Sequence, residues 1–216
     1  MPRGRFITFE GGEGAGKSTQ TALLVRALGR AGIAALATRE PGGSDGAEAI
    51  RRLLLEGNPA RWDAEQEALL FAAARRDHVR RRIEPALAGG TWVVCDRFAD
   101  STIAYQGYGR GLALADIATL HRLAVGDFAA DLTLVLDVPV EMGRTRIAAR
   151  KQPADRFERL DAAFHERLRQ GFRDIAAAAP QRCALIDASA GPARVHRAVL
   201  DVVMQRLGVA VAAAEC

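Results

Sequence analysis

Two periodicities alternate along the chain, a short apolar run and then a longer segment with apolar residues every three or four positions. Phe6–Glu10 reads as a strand, followed by a glycine-rich turn and a helix from Lys17 to about Arg30 that stops at Gly32. Ala34–Arg39 reads as a second strand closed by Glu40-Pro-Gly-Gly43, and a helix over about Ala47–Glu56 ends at Gly57-Asn-Pro59. A long helical pattern runs from Ala64 to about Ala88. Trp92–Cys95 is near-continuously apolar, as a strand covered on both faces must be. Helical segments near Ser101–Tyr105 and Ala113–Val125 precede the strand Leu132–Val138, with Pro139 in the first turn of the next helix. Glu158–Ala178 reads as helix, Cys183–Asp187 as the last strand and Ala193–Leu207 as the last helix. Five strands separated by helices predict one α/β domain over residues 1–216. Its sheet is five-stranded and parallel, with right-handed crossovers and helices on both faces. The tail 209–216 is expected to fray.

Composition narrows the class. The 216 residues are 49% hydrophobic and 26% charged, a balance that excludes a disordered or fibrous chain. No apolar stretch is long enough to span a bilayer, and Phe6-Ile-Thr-Phe9 is too short for a signal-peptide core, so a cytoplasmic setting is expected. Cys95, Cys183 and Cys216 are widely spaced and odd in number, which favours reduced thiols. The net charge is +4, but the cations are scattered and the one tight run, Arg80-Arg-Arg82, lies in a helical pattern. A solvated face is the better reading, and no nucleic-acid partner is expected. Only Lys17 and Lys151 are lysines, every other cation being arginine.

Lys17 has a reason to be lysine. Gly11-Gly-Glu-Gly-Ala-Gly-Lys-Ser18 fits the phosphate-loop pattern G-x-x-x-x-G-K-[ST], and it sits between a strand and a helix as the mechanism requires. Backbone N–H groups and the positive helix end surround an anion. Lys17 brings a compact charge to the outer phosphates where a planar guanidinium would not fit. The ATP-binding set is therefore Gly11, Gly12, Glu13, Gly14, Ala15, Gly16, Lys17, Ser18 and Thr19. Ser18 offers a hydroxyl to Mg²⁺. No D-x-x-G follows the third strand and no N-K-x-D occurs, against a GTPase switch. Asp96 and Arg97 close that strand instead, Asp96 placed for the Mg²⁺ water shell and Arg97 for a second phosphate.

With those residues in hand the chain resembles the thymidylate kinase family over almost its whole length. Phe9-Glu-Gly-Gly-Glu-Gly-Ala-Gly-Lys-Ser-Thr19, Thr38-Arg-Glu-Pro-Gly-Gly43, Phe71-Ala-Ala-Ala-Arg75, Asp96-Arg-Phe98 and Ser101-Thr-Ile-Ala-Tyr-Gln-Gly107 stand in the family's order. The resemblance implies a P-loop fold of the nucleoside-monophosphate-kinase type with a lid loop, a cytoplasmic homodimer, and transfer of the γ-phosphoryl of ATP to dTMP with Mg²⁺. Two other functions remain open on the residues: phosphorylation of another pyrimidine mononucleotide, and a DNA-binding P-loop ATPase.

The resemblance also implies roles at single residues. Phe71 and Arg75, one turn apart on one helix face, are expected to stack on the base and donate to its carbonyl. Arg51 and Arg97 would grip the acceptor phosphate. Ser101, Thr102 and Gln106 are polar contacts to the acceptor. Tyr105 would lie under the sugar and select deoxyribose, and Glu40 belongs to the loop closing over the acceptor. Glu13, an odd carboxylate inside a phosphate loop, would lie at the acceptor sugar and metal. The loop holds no arginine, so the transition-state cation is expected from a lid at about 144–158, where Arg144, Arg146, Arg150 and Arg156 cluster. Arg150 and Arg156 are the expected catalytic lid residues, beside Lys17, Glu13 and Arg97.

Overall fold

The computed structural model describes residues 2–58, 60–149 and 155–211. Its elements are β1 (Phe6–Glu10), α1 (Lys17–Arg30), β2 (Ala35–Arg39), α2 (Asp45–Leu55), α3 (Ala64–His78), a π-helical stretch Val79–Ile83 and α4 (Glu84–Ala88). There follow β3 (Trp92–Asp96), α5 (Ala99–Thr102), a second π-helical stretch Ile103–Gly109, α6 (Leu114–Val125), β4 (Leu132–Asp137) and α7 (Val140–Ala148). The chain ends in α8 (Ala162–Ala178), β5 (Cys183–Asp187) and α9 (Pro192–Leu207).

All strand pairs are parallel in the order β2-β3-β1-β4-β5. Alternate residues of the central strand feed opposite layers: Ile7 and Phe9 enter the core under α1 and α9, whereas Phe6 packs with Val79, Ile83 and Phe98. Between them, fully buried Thr8 is satisfied by Thr133 Oγ1 at 2.8 Å on β4. Register aligns Phe9 and Arg39 with Asp96, so β1, β2 and β3 end together at the carboxyl edge of the sheet. β2 and β3 lie on one side of β1 and β4 and β5 on the other, so the strand order switches sides at β1, and this edge is where such sheets bind ligands.

Four expectations change. The helix expected over 64–88 keeps its path but widens to π-helix at Val79–Ile83. Pro85 supplies no N–H to the carbonyl four residues back and crowds it, and the wider turn relieves that clash. The last long helix before β5 starts at Ala162, not Glu158, because Asp161 caps it by accepting from Phe164 N. Residues 144–148 of the expected lid lie within α7, where Arg146 donates to the carbonyls of Ala188 and Ser189. In the expected frayed tail, Val211 is 3% exposed and packs on the α1–α9 core. Residues 212–216 and Arg150 lie outside the described residues.

Candidate active site

The phosphate loop connects β1 to α1. Gly16 stands at the N-cap in the left-handed region with φ 92°, which lets the first turn of α1 open directly onto the loop. Gly14 (φ 70°) meets Gly143 of α7 backbone to backbone. A Cβ on Gly14 would stand 2.2 Å from Gly143 O, and one on Gly143 would stand 2.4 Å from Glu13 O. Lys17 folds over the loop, its Nζ donating to Gly12 O at 2.7 Å and Gly11 O at 3.1 Å. Burial and the neighbouring Arg97 bring its ammonium down to about 8, against the pull of Glu13 and Asp96. Ser18, in the first turn of α1, donates to Asp96 Oδ2 at 2.5 Å.

Arg97 adopts φ 73°, uncommon for a residue with a side chain, and its N–H is held by Phe9 O at 2.9 Å. That backbone turns the guanidinium back across the loop. Nη2 meets Glu13 Oε1 at 2.8 Å, and Nη1 reaches Gly11 O and Ser101 Oγ. Burial raises the Glu13 carboxyl, but Arg97, then Lys17 and the Tyr105 hydroxyl, outweigh it and bring it to about 2. Tyr105 donates to the same Glu13 oxygen and lies under the Arg97 guanidinium at 4.9 Å. Its ring meets Phe157, Phe164 and Phe172 edge-on, so it belongs as much to an aromatic wall as to the open cleft.

The far wall comes from α3. Arg75 is 3% exposed; its Nε donates to Glu40, and Nη2 donates to Phe98 O and Thr102 Oγ1. Glu40 also accepts from His78 Nδ1 at 3.0 Å, and His78 Nε2 lies 2.7 Å from Thr38 Oγ1, so the β2 end and α3 are tied together. Arg51 donates to Pro41 O at 2.6 Å.

One cleft is lined by Glu40, Arg51, Phe71, Arg75, Arg97, Ser101, Thr102, Tyr105 and Gln106, every acceptor residue expected from sequence. Glu13, Gly14, Gly16, Lys17, Ser18 and Asp96 line its other end. Gly11, Gly12, Ala15 and Thr19 belong to the same loop and first turn without lining the cleft.

Arg156 is placed elsewhere. It is fully buried, with Nη2 2.6 Å from Glu67 Oε1 and Nε donating to Leu54 O, and it does not line the cleft. The arginine expected on a mobile lid is anchored here, its desolvated guanidinium held by a desolvated carboxylate. Its neighbours Asp155, Phe157 and Glu158 do line the cleft, held in a turn where Asp155 Oδ1 accepts from the N–H groups of Phe157 and Glu158.

Sequence reasoning missed Glu10 and Glu67. Glu10 is fully buried beneath the cleft, accepting from Phe98 N at 2.7 Å and Ser101 Oγ at 2.6 Å; burial, then Asp100, raises it to about 8. Glu67 precedes Phe71 and Arg75 at successive four-residue steps, and that stripe was a signal for it. Among the described residues no helix is long and apolar enough to cross a membrane.

Residues 9–199 match the thymidylate kinase family model. A thymidylate kinase from Bradyrhizobium sp. strain BTAi1 is 55% identical over 98% of this chain and 95% of its own length. One from Rhizorhabdus wittichii strain RW1 is 54% identical over 96% of this chain and all of its own length. The crystal structure of thymidylate kinase from Ehrlichia chaffeensis superposes with a TM-score of 0.76 at 38% identity, covering 94% of this chain and 99% of that one. A phosphate loop at the carboxyl edge of a 2-3-1-4-5 parallel sheet, facing an Arg75–Phe71 wall across one cleft, agrees with those matches, and the chain belongs to the thymidylate kinase family.

Proposed function

We propose that the cleft transfers the γ-phosphoryl of ATP to dTMP, giving dTDP for dTTP supply, as the family's name indicates. The observation that carries this reading is the continuity of the cleft from Lys17 and Ser18 to Phe71 and Arg75. A donor phosphate at one end and a nucleobase at the other have a common wall in Arg97.

In this reading Lys17 leaves the Gly11 and Gly12 carbonyls for the donor phosphates. Arg97 and Arg51 hold the acceptor phosphate, because a bidentate fork fits it. Phe71 stacks on thymine, and Arg75, whose Nη1 has no hydrogen-bond partner among the described residues, donates to a base carbonyl. Thr102 and Gln106 meet the base edge, Ser101 supports Arg97, Tyr105 backs the sugar, and Glu40 steadies Arg75. Glu13, ionised and paired with Arg97, faces the sugar side of the acceptor. Ser18 Oγ and Asp96 Oδ2 are hard oxygen donors converging at the loop, a set that suits Mg²⁺ held otherwise by substrate phosphates. When bound, the ion neutralises charge on the β- and γ-phosphate oxygens. Arg150 is the remaining lid candidate for the transferring group. A cytoplasmic homodimer completes the reading.

The test is coupled ADP release over a panel of mononucleotides, with and without DNA. Release should require dTMP, and Lys17→Ala should lose about 3 kcal/mol or more of transition-state stabilisation. ADP release that needs DNA and no mononucleotide would overturn the reading.

A further inference from the structure

Glu67 is fully buried on α3 one turn before Phe71, and the mechanism above does not use it. Its Oε1 accepts from Arg156 Nη2 at 2.6 Å and Arg110 Nη2 at 2.9 Å. Its Oε2 accepts from Gln106 Nε2 at 2.9 Å, and Arg110 Nε lies 2.9 Å from the same oxygen. A carboxylate can only accept, so the Gln106 amide has no choice of orientation: its NH₂ turns to Glu67. Gln106 Oε1 is then buried without a partner among the described residues, although Gln106 lines the cleft beside Phe71, Arg75 and Thr102. Buried amide oxygens are normally paired, and an orphan at a cleft wall is open to a donor on the ligand.

We propose that Glu67 is a positioning residue for base selection: it locks the Gln106 amide with its oxygen toward the pyrimidine, so the base must present a ring N–H. Thymine and uracil carry that N–H at N3, whereas cytosine carries a bare nitrogen there. The inference rests on the reading of this cleft as the dTMP site. The two guanidiniums make the lock directional. Two guanidinium nitrogens meet Oε1 and one meets Oε2, so Oε1 is under the stronger demand to stay an acceptor while Oε2 holds Gln106.

Glu67→Gln therefore has a specific consequence. Its amide oxygen is favoured at the Oε1 position, where two guanidinium nitrogens meet it against one at Oε2, so its NH₂ takes the place of Oε2 and faces Gln106. Gln106 must invert and turn its own NH₂ toward the base. The experiment measures kcat and KM for dTMP and dCMP, with melting temperature, in the wild type, Glu67→Gln and Gln106→Leu. In Glu67→Gln we expect dTMP kcat/KM to fall about tenfold, chiefly through KM, while dCMP improves, so the dTMP/dCMP ratio drops by about a hundredfold. Gln106→Leu should weaken dTMP without improving dCMP. If Glu67→Gln lowers both substrates equally while Gln106→Leu weakens dTMP, Glu67 is merely structural and the inference fails with the dTMP site intact. If Gln106→Leu leaves the dTMP KM unchanged, the amide does not meet the base and the inference fails, while dTMP-dependent ADP release still decides the site reading. Should Glu67→Gln not fold, Glu67→Gln/Arg110→Met removes one cation with the one anion and must show the same drop in ratio; an unchanged ratio there overturns the proposal.

Discussion

Arg97 Nη2 lies 2.8 Å from Glu13 Oε1, so the carboxylate inside the phosphate loop is neutralised by the guanidinium at the end of β3. The pair explains how an acidic residue is tolerated where phosphates bind. Arg97→Ala should consequently do two kinds of harm: it removes a cation from the cleft and takes from Glu13 its strongest cationic partner, leaving Lys17 and the Tyr105 hydroxyl. We expect kcat/KM to fall about 10²–10³-fold. The double variant Glu13→Gln/Arg97→Ala should be more active than Arg97→Ala alone. Strictly additive losses in that cycle would show that the two side chains do not act together.

Tyr105 separates two roles through its two ends. The hydroxyl binds Glu13 and the ring backs the cleft. Tyr105→Phe should lower turnover with dTMP yet keep the preference for deoxyribose. Tyr105→Leu should improve ribonucleotide acceptors relative to dTMP by about 1–3 kcal/mol in kcat/KM. An unaltered deoxy-to-ribo ratio in Tyr105→Leu assigns the sugar filter to another residue.

Arg156→Ala should act on stability. It leaves Glu67 short of one buried cation, and breaking such a pair costs about 3–5 kcal/mol. The melting temperature should drop markedly, while kcat at a temperature where the variant stays folded should remain within a few-fold of wild type. A normal melting curve with a collapsed kcat would return Arg156 to the chemistry.

Glu10 makes stability depend on pH with a definite sign. Its carboxyl titrates near 8 in the folded chain against 4.5 as the ordinary value. Between those values the folded state binds the extra proton, so this contribution is fully present below 4.5 and is lost as pH rises through about 8. Glu10→Gln, always neutral, should gain melting temperature relative to wild type at pH 9 compared with pH 6. An offset that is constant with pH would contradict the raised carboxyl.

Legibility in the sequence followed the range of the interaction. β1, α1 and β5 begin and end where glycines and apolar runs said, because local chemistry decides those boundaries. That Phe71, Arg75, Thr102 and Gln106 share one cleft was equally readable, since Phe71 with Arg75 and Thr102 with Gln106 are one helical turn apart. The burial of Arg156 was not legible because its partner Glu67 is 89 positions away, and nothing in local spacing reports a pairing across that distance. The π-helical stretch Ile103–Gly109 escaped for another reason: its wider turn is set by packing. A Cβ on Gly107 would stand 2.7 Å from Leu114, and one on Gly109 would stand 2.6 Å from Phe164.

The contact between Gly14 and Gly143 also limits how this sequence can drift. Two packed side chains can exchange bulk, one growing as the other shrinks, and so pass through neutral intermediates. Here both partners are already the smallest residue available, and each faces a carbonyl oxygen of the other segment. No compensating second substitution exists for a methyl group added on either side. Changes to the donor-phosphate loop that survive in a population should therefore fall at positions other than these two, and α7 should keep its seat on the loop in each of them.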